Sequence, residues 1–507
     1  MRFTLTRGAI AAALAAIGLA IAVALAMAGH ASGSSTALPT TTGAIVPAVS
    51  DYQQINGSEV PPTQAQCASV GRRCFNPYST RSAYNLGDLI GAGNDGHGKT
   101  IAVVDSYGSD TMAHDLAVYD KAWGLPKMCG EEGYTTNCAA GAPKFSVLHV
   151  QGSPATKAPP GKSNGTGQED KSAWALEVAL DVEAAHSIAP GANILLVATP
   201  TAETLGVQGL QQMMNAEQYV VDNHLADVIS QSFGTGEEAF GSSQSLLNLR
   251  HAFVSAQQAG ITVLASSGDG GSSNTYKEPV KNPREIPFPS VGWPASDPLV
   301  TGVGGTYLCT DPEAPQTQPR TYLAGEPAAR CNAGNAEVGW IGSGGGFSHV
   351  FSRPAFQNTL PAGSTPIPSS QRGVPDIALQ ASATTGALVY LTLPPDGNSG
   401  LICGSAPCST GWYDIGGTSL SSPEWAGLVA IADQIKGSNV GFMNQKLYNL
   451  AANPATYASD FFDITTGNNT DSADVPGFPA TTGWDPVTGL GTPNAATLLP
   501  ALAAASG

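Results

Sequence analysis

Charged side chains are scarce in this sequence, and basic ones are the scarcest. Only 12% of the 507 residues are charged, with 22 Lys and Arg against 39 Asp and Glu, which gives a net charge of −17. Binding to nucleic acid needs a basic surface, so this composition argues against nucleic acid as a partner. A chain with few ion pairs loses little structure when its carboxylates are protonated, which suits a protein that tolerates acid. An ordinary acidic secreted protein is the alternative.

Long apolar runs are missing after residue 28. The first 28 residues carry Arg2 and Arg7, followed by an almost wholly apolar run that ends in Ala26-Met27-Ala28. This pattern predicts a secretory signal peptide over residues 1–28 with a small-residue cleavage site. The run from Gly8 to Ala28 is long for a signal peptide, so an uncleaved anchor is the alternative. We expect a secreted, extracellular protein that does not contact the membrane once the signal is removed.

The sequence also lacks the CxxC spacing of zinc sites, and its histidines are scattered. Its eight cysteines instead fall into four close pairs. In an oxidising compartment this spacing predicts four local disulfides, although eight cysteines formally allow about 105 connectivities. The pairs are Cys67/Cys74, Cys129/Cys138, Cys309/Cys331 and Cys403/Cys408.

Short, β-branched apolar runs alternate with helical stretches along much of the chain. Such alternation predicts an α/β fold, a doubly wound and mostly parallel sheet with helices on both faces and a site at the carboxyl ends of the strands. The predicted strands are Thr100–Asp105, Phe145–Val150, Asn193–Ala198, Ala226–Ser232, Ile261–Ser266, Leu299–Gly304, Ala387–Leu393 and Trp412–Ile415. The predicted helices are Thr111–Trp123, Ser172–Ser187, Leu205–Asn223, Ser245–Gln258, Trp425–Ile435 and Gly441–Ala452.

Two segments have no core signal. Residues 29–82 are rich in Ser, Thr, Pro and Gly. This composition predicts a flexible leader that is cross-linked near its end by the disulfide Cys67–Cys74. The segment Gly152–Asp170 is predicted to be a loop. No repeat and no second core are visible, so residues 83–503 are predicted to form one large domain.

The sequence GGTSLSSP, from Gly416 to Pro423, places a serine among small residues just before an apolar stretch. That stretch, Trp425–Ile435, predicts a buried helix with Ser419 at or just before its N-terminus. Free N–H groups and the helix dipole favour developing negative charge there, and the glycines allow a substrate backbone to approach closely. Ser419 is therefore a candidate nucleophile. The alternative is an ordinary Gly/Ser turn that caps a helix.

Two acidic residues lie four positions apart in the helix Ser172–Ser187. At this spacing Glu177 and Asp181 share one face, close enough to share a proton. Apolar residues nearly all round the helix predict that it is buried, with both carboxylates beside the apolar stripe. Burying an unpaired carboxylate is costly or raises its pKa, and such costs usually serve function. The alternative is that both side chains reach solvent past the edge of the stripe.

A third acidic residue, Asp269 in SSGDGG, follows the strand Ile261–Ser266. The carboxyl end of a parallel strand is where a site is expected. An Asx turn in a glycine-rich loop is the alternative.

A Ser-His-Asp hydrolase is the first mechanism to consider, with Asp105 of VVDSYG as the acid and Ser419 as the nucleophile. No His-Gly-Thr occurs in the sequence, His97 precedes Asp105, and His186 lies at the end of a helix. The sequence therefore does not place a histidine opposite Ser419.

Ten motifs follow one another in order from Glu177 to Asn494. They are Glu177-x-x-x-Asp181, APGA at Ala189–Ala192, SQSFG at Ser230–Gly234, SSGDGG around Asp269, FPSVGWPASDPLVTGVGGT at Phe288–Thr306, SGGGFS at Ser343–Ser348, VPDIA at Val374–Ala378, GGTSLSSP, DITTGNN from Asp463 and GWDPVTGLGTPN from Gly483. In this order the set resembles the sedolisins, the serine-carboxyl peptidases, which keep a subtilisin-like fold and use Glu in place of His. Each motif is weak alone, and the ordered set is specific.

The resemblance implies a subtilisin-like fold with a Ser-Glu-Asp triad. Ser419 would be the nucleophile, Glu177 its general base and Asp181 the residue that orients Glu177. Asp269 would donate a hydrogen bond to the oxyanion, and Asp105 would have a supporting role. Reference pKa values agree with this assignment: at about pH 3 to 5 a His (~6.5) is protonated, whereas a Glu (~4.3) is poised to act as a base. An Asp can donate to an oxyanion only while it is protonated.

The resemblance also implies one structural Ca²⁺ near the C-terminus. The matching ligands are the carboxylates of Asp463 and Asp485 and the backbone carbonyls of Ile464, Thr481 and Gly483. Oxygen ligands from loops, two of them charged, suit Ca²⁺. Thr481 stands where Gly is usual in the family, which a carbonyl ligand tolerates if the backbone angles allow it. A Gly/Asn-rich surface loop without metal is the alternative.

Taken together, the resemblance implies a secreted monomeric endopeptidase that hydrolyses peptide bonds in proteins and peptides at acidic pH. A subtilisin-type Ser-His-Asp hydrolase and a catalytically silent secreted binding protein are the alternatives. The family normally carries a folded propeptide domain after the signal. Residues 29–82 are too short for such a domain, so the sequence does not predict the usual route of self-inhibition and acid-triggered maturation.

Overall fold

The computed structural model describes residues 46–47, 51–150, 168–200, 207–276, 284–325, 331, 334–393, 401–403 and 406–506. The signal peptide predicted over residues 1–28 and the first part of the leader lie outside these residues. Most of the loop predicted over Gly152–Asp170 also lies outside them.

A sheet of eight strands forms the centre of the described residues, and the predicted α/β class is confirmed. Seven of its strands run parallel to their neighbours, and only the short strand Glu337–Gly339 is antiparallel. In chain order the strands are β1 (Thr100–Ser106), β2 (Phe145–His149), β3 (Asn193–Thr199), β4 (Val228–Gln231), β5 (Thr262–Ser266), β6 (Thr301–Leu308), β7 (Glu337–Gly339) and β8 (Ile377–Gln380). Their spatial order is β7-β6-β5-β4-β1-β3-β2, and β8 also pairs with β6.

Helices cover both faces of this sheet. They are α1 (Gln64–Ser69), α2 (Pro77–Ala83), α3 (Gly87–Gly91), α4 (Met112–Trp123), α5 (Gln168–Ile188), α6 (Val207–Asp222), α7 (Ser243–Leu247), α8 (His251–Ala259), α9 (Thr418–Lys436), α10 (Met443–Ala451), α11 (Pro454–Asp460) and α12 (Ala495–Ala504). Successive side chains of a strand point to opposite faces. Ile101 and Val103 of β1 accordingly join the core formed with α5 and α9, whereas Ala102 and Val104 join the core formed with α6 and α8.

Shorter strands surround the sheet, and four disulfides join local segments. The strands are Val46–Pro47, Tyr52–Asn56, Phe233–Gly236, Thr275–Tyr276, Arg284–Glu285, Gly292–Trp293, Gly346–Phe347, Gly373–Val374, Ala387–Leu391, Ile402–Cys403, Ala406–Pro407, Gly411–Ile415, Phe461–Phe462 and Thr492–Pro493. All four predicted disulfides are present. None of the described helices combines the length and the apolar character needed to cross a bilayer.

Residues 51–82 differ from the flexible leader that the sequence predicts. Strand Tyr52–Asn56 pairs antiparallel with Gly411–Ile415. Thr63 and Asn76 cap α1 and α2 with their side chains, and Phe75 is fully buried. Composition gave no sign of this order, because the segment is stabilised by partners far away in the chain rather than by its own periodicity.

Candidate active site

Ser419 lies in the first turn of α9, directly after a turn in which Gly416 and Gly417 allow close packing of the backbone. Gly417 has φ of 106°, in the region that glycine adopts readily and other residues rarely adopt. A Cβ atom on Gly416 would lie 2.2 Å from the carbonyl oxygen of Ala381. Ser419 itself is fully buried at the start of the helix. The helix dipole and the N–H groups of this turn therefore favour negative charge beside it.

Glu177 and Asp181 are both completely buried on α5. This excludes the alternative in which they reach solvent past the edge of the apolar stripe. The Glu177 carboxyl is close enough to the Ser419 hydroxyl for that hydroxyl to lower its pKa. The contact falls outside the geometry of a well-aligned hydrogen bond. Catalytic hydrogen bonds are often long in free enzymes and tighten when substrate binds.

Three carboxyl groups are buried together at this site. Burial raises the pKa of Glu177 and of Asp181 well above their ordinary values, and the nearby carboxyl of Asp105 raises both further. Burial likewise raises the pKa of Asp105 to about 8. Because the three groups lie close together, they titrate as a set rather than independently. Asp105, to which the resemblance assigned only a supporting role, lies within this set.

Ser232 contacts both Asp181 on α5 and the backbone of Ser419 on α9. Its hydroxyl donates to Oδ1 of Asp181 at 2.8 Å and lies 3.4 Å from the carbonyl oxygen of Ser419. Ser232 lies within the SQSFG motif, just after β4, but no local pattern distinguished this hydroxyl from its neighbours. Its contact with Asp181 holds one oxygen of that carboxyl in place.

Asp269 lies in the loop after β5, at the carboxyl end of the sheet, and is held by the residue that precedes the nucleophile. The backbone N–H of Thr418 donates to Oδ1 of Asp269 at 2.7 Å, and the Thr418 hydroxyl donates to the same oxygen at 2.9 Å. The N–H of Gly268 donates to the Thr418 hydroxyl oxygen at 3.0 Å. Asp269 is close enough to raise the pKa of Glu177. The fold thus brings the four predicted catalytic residues together.

The two histidines considered for a Ser-His-Asp mechanism lie elsewhere. His186 is buried, and its Nε2 is 3.1 Å from Oδ1 of Asp120 on α4. His97 is exposed and precedes β1, at the amino end of the sheet, whereas Ser419 lies near the carboxyl ends. Neither ring therefore faces the Ser419 hydroxyl.

The residues predicted to bind calcium form a separate acidic cluster. Both oxygens of Asp463 accept from the N–H of Gly483 at 3.1 Å, and the two oxygens of Asp485 accept from the N–H groups of Thr481, Val487 and Thr488. Burial raises the pKa of Asp485 to about 7, and the charge of Asp463 adds to this effect. Within the described part of the chain, no donor reaches the carbonyls of Ile464, Thr481 or Gly483. Two adjacent carboxyls and three unused carbonyls suit a hard divalent cation.

Comparison with known proteins places the chain among peptidases. The subtilase family model matches residues 161–480. Kumamolisin from Bacillus sp. (strain MN-32) is 30% identical over 443 residues, which cover 87% of this chain and 65% of kumamolisin. Sedolisin from Pseudomonas sp. (strain 101) is 31% identical over 333 residues, covering 66% of this chain and 50% of sedolisin. Tripeptidyl-peptidase 1 from Mus musculus is 28% identical and is covered over 53% of its length.

The chain therefore spans between about half and two thirds of the length of these relatives. Among solved structures, Pseudomonas sedolisin, a serine-carboxyl proteinase complexed with two molecules of pseudo-iodotyrostatin, matches with a TM-score of 0.59 and 24% identity. The match covers 84% of this chain and 97% of that one. It confirms the predicted subtilisin-like fold.

Proposed function

The chain belongs to the subtilase family, and from this premise we propose that it is a sedolisin-like serine-carboxyl peptidase that hydrolyses peptide bonds in proteins at acidic pH. The observation that carries the proposal is the burial of Glu177 beside the Ser419 hydroxyl, with Asp181 on the next turn of the same helix. Burying a carboxyl group beside a serine is costly, and a general base that takes the serine's proton is the role that this position supports.

In this mechanism Ser419 Oγ attacks the carbonyl carbon of the scissile bond while its proton passes to Glu177. The oxyanion that forms accepts a hydrogen bond from the protonated carboxyl of Asp269. When the C–N bond breaks, the proton on Glu177 passes to the leaving amine and an acyl-enzyme remains. Water then attacks the ester as Glu177 takes its proton, and Ser419 recovers its own as the acid product leaves.

The strand Phe233–Gly236 supports a binding mode for the substrate. It follows Ser232 directly and pairs antiparallel with Val46–Pro47, so that Val46 lies opposite Gly234. The edge of strand Phe233–Gly236 that pairs with Val46–Pro47 can therefore bind an extended segment through backbone hydrogen bonds. We propose that a peptide substrate binds along the same edge in place of Val46–Pro47.

We propose that the enzyme cleaves internal peptide bonds rather than releasing tripeptides from the N-terminus of its substrates. The identity of the products distinguishes the two activities. An N-terminally acetylated peptide and its free-amine twin of the same sequence are incubated at the pH of maximum activity, and the fragments are identified by mass spectrometry. An endopeptidase cleaves both peptides at the same internal bonds at similar rates. Strong preference for the free amine, with tripeptides released in succession, would establish a tripeptidyl-peptidase instead.

We propose that Asp463, Asp485 and the carbonyls of Ile464, Thr481 and Gly483 hold one structural Ca²⁺. The ion would neutralise two carboxyls that burial keeps close together, and so stabilise the C-terminal loops. Removing it with EDTA is expected to lower the melting temperature by roughly 5 °C or more. The variant Asp463→Ala should melt at the lower temperature without EDTA and show no further change with it.

The control for the calcium site is Asp474→Ala, which removes an exposed carboxylate from the same loop region. This variant should keep the full response to EDTA. Absence of calcium from the purified protein in metal analysis, together with an unchanged melting temperature in EDTA, would contradict the site.

We further propose that the protein is secreted as a monomer after removal of residues 1–28. The four disulfides support an oxidising destination. We propose that residues 83–503 form the peptidase domain and that the leader, residues 29–82, stays attached to it through strand Tyr52–Asn56.

A further inference from the structure

Thr418 is the residue that contacts both the loop carrying Asp269 and the turn carrying the nucleophile. It is fully buried, and it directly precedes Ser419 at the start of α9. Three hydrogen bonds connect it to the loop after β5: two that it donates to Asp269 and one that it accepts from Gly268. The Gly268 N–H directed at the hydroxyl oxygen leaves the hydroxyl proton to point at Asp269.

Both donated hydrogen bonds end on the same carboxyl oxygen, Oδ1 of Asp269. In a neutral carboxylic acid the carbonyl oxygen accepts hydrogen bonds and the other oxygen carries the proton. The N–H of Thr418 can only donate, and the Thr418 hydroxyl, which accepts from Gly268, has its proton free for the same oxygen, so the contacts favour Oδ1 as the carbonyl oxygen. This arrangement favours the acid proton of Asp269 on Oδ2.

We propose that Thr418 is a positioning residue, which fixes the acid proton of Asp269 on Oδ2 and aims it at the oxyanion. This inference rests on the proposed function, because it gives Asp269 the oxyanion-donating role. The backbone N–H of Thr418 is hydrogen-bonded to Asp269, and the same residue is joined by a peptide bond to Ser419. One residue therefore sets the positions of both the oxyanion donor and the nucleophile. The hydroxyl adds the second donor, which prevents the carboxyl from rotating and exchanging its two oxygens.

The two hydrogen bonds from Thr418 to Asp269 also affect the pH range of activity. The two donors favour the ionised form of Asp269, because hydrogen bonds to a carboxylate stabilise its charge. Glu177 faces the same carboxyl from α5 and opposes its ionisation whenever it is itself charged. Without the Thr418 hydroxyl, Asp269 should keep its proton to higher pH, so activity should extend to higher pH. The reaction should also be slower, because the O–H group of Asp269 is no longer held in one orientation towards the oxyanion.

The test compares Thr418→Val, which keeps the shape and loses the hydroxyl, with Thr418→Ser, which keeps the hydroxyl. We expect Thr418→Val to lower kcat by about 10- to 100-fold with KM little changed, somewhat less than the loss of a whole oxyanion donor. The alkaline limb of its kcat profile should move up by roughly one pH unit. Thr418→Ser should keep the alkaline limb of the parent. If the valine variant does not fold, as judged by melting at pH 4, Thr418→Ala against Thr418→Ser makes the same comparison.

Ser421→Ala is the matched control, because it removes a buried hydroxyl one turn along the same helix that donates to the carbonyl of Gln380 at 2.8 Å. Its alkaline limb should not move. A second comparison places Thr418→Val in an Asp269→Ala background, where it should cost nothing further, since its target is gone.

Equal losses from Thr418→Val in both backgrounds, or an alkaline limb that stays with that of Ser421→Ala, would show a packing role and overturn the inference. Full activity of Asp269→Ala alone would instead refute the oxyanion role in the proposed function. The two failures are therefore distinguishable.

Discussion

Replacing Ser419 by Ala is expected to abolish peptide hydrolysis while leaving the fold intact. The substitution removes one oxygen atom from a fully buried position and adds none, so α9 and its glycine turn should be undisturbed. Loss of a nucleophile that acts together with its base costs roughly 10⁴- to 10⁶-fold in kcat. Initial rates on a denatured protein at the pH of maximum activity, with circular dichroism and melting of the same sample, measure both parts of the prediction.

Ser422→Ala is the control for this substitution. Ser422 lies three residues along the same helix, and its buried hydroxyl is 2.9 Å from that of Ser230. It should melt at a slightly lower temperature, because a buried hydrogen bond is lost, and keep activity within about threefold. A folded Ser419→Ala protein with the parent's activity would remove Ser419 from the mechanism.

Replacing Glu177 by Gln is expected to have the second largest effect. Glutamine has nearly the same shape but offers no basic oxygen, so it cannot take the proton from Ser419. General-base catalysis contributes about 10²- to 10⁴-fold, and we expect a loss in kcat of that size. The burial that raises the pKa of Glu177 should cost less in the neutral amide, so the variant should be at least as stable as the parent at neutral pH.

Glu183→Gln separates the chemistry of Glu177 from its packing. Glu183 is equally buried on the same helix, and one of its oxygens accepts from the N–H of Tyr390 at 2.9 Å, a bond that a glutamine oxygen can keep. It should retain the parent's activity. Equal losses in the two variants would mean that a buried carboxyl on α5 is needed for the helix rather than for catalysis.

Strands that are buried on both faces were predictable from the sequence because their signal is local, whereas the candidate site residues were named from an ordered set of motifs that are each weak alone. The run TIAVVD gave β1 almost to the residue, since a strand buried on both faces is apolar throughout. The predicted helix Ser245–Gln258 proved to be two, α7 and α8, with Asn248–Arg250 between them. The strands β7 and β8 are too short to produce a pattern.

Contacts across the fold could not be predicted in this way. Asp269 and Glu177 were named from their motifs, but the two hydrogen bonds from Thr418 to Asp269 join residues 149 positions apart. The bond from Ser232 to Asp181 joins residues 51 positions apart. Neither hydroxyl differs, in sequence, from the other serines and threonines around it, and only the register of the folded elements makes each one a partner.

The measurement that tests the central claim most directly is the pH dependence of kcat/KM for a peptide substrate, taken with the parent and with Glu177→Gln. Activity should rise as the Glu177 carboxyl loses its proton and fall as Asp269 loses its own, which gives a bell with its optimum in acid. The acid limb should lie above the ordinary carboxyl value of about 4.5, because burial raises the pKa of Glu177. A Ser-His-Asp enzyme would gain activity near neutrality as its histidine loses a proton, and a silent binding protein would show none. A parent profile that still climbs between about pH 6 and 8, with Glu177→Gln fully active, would contradict the account.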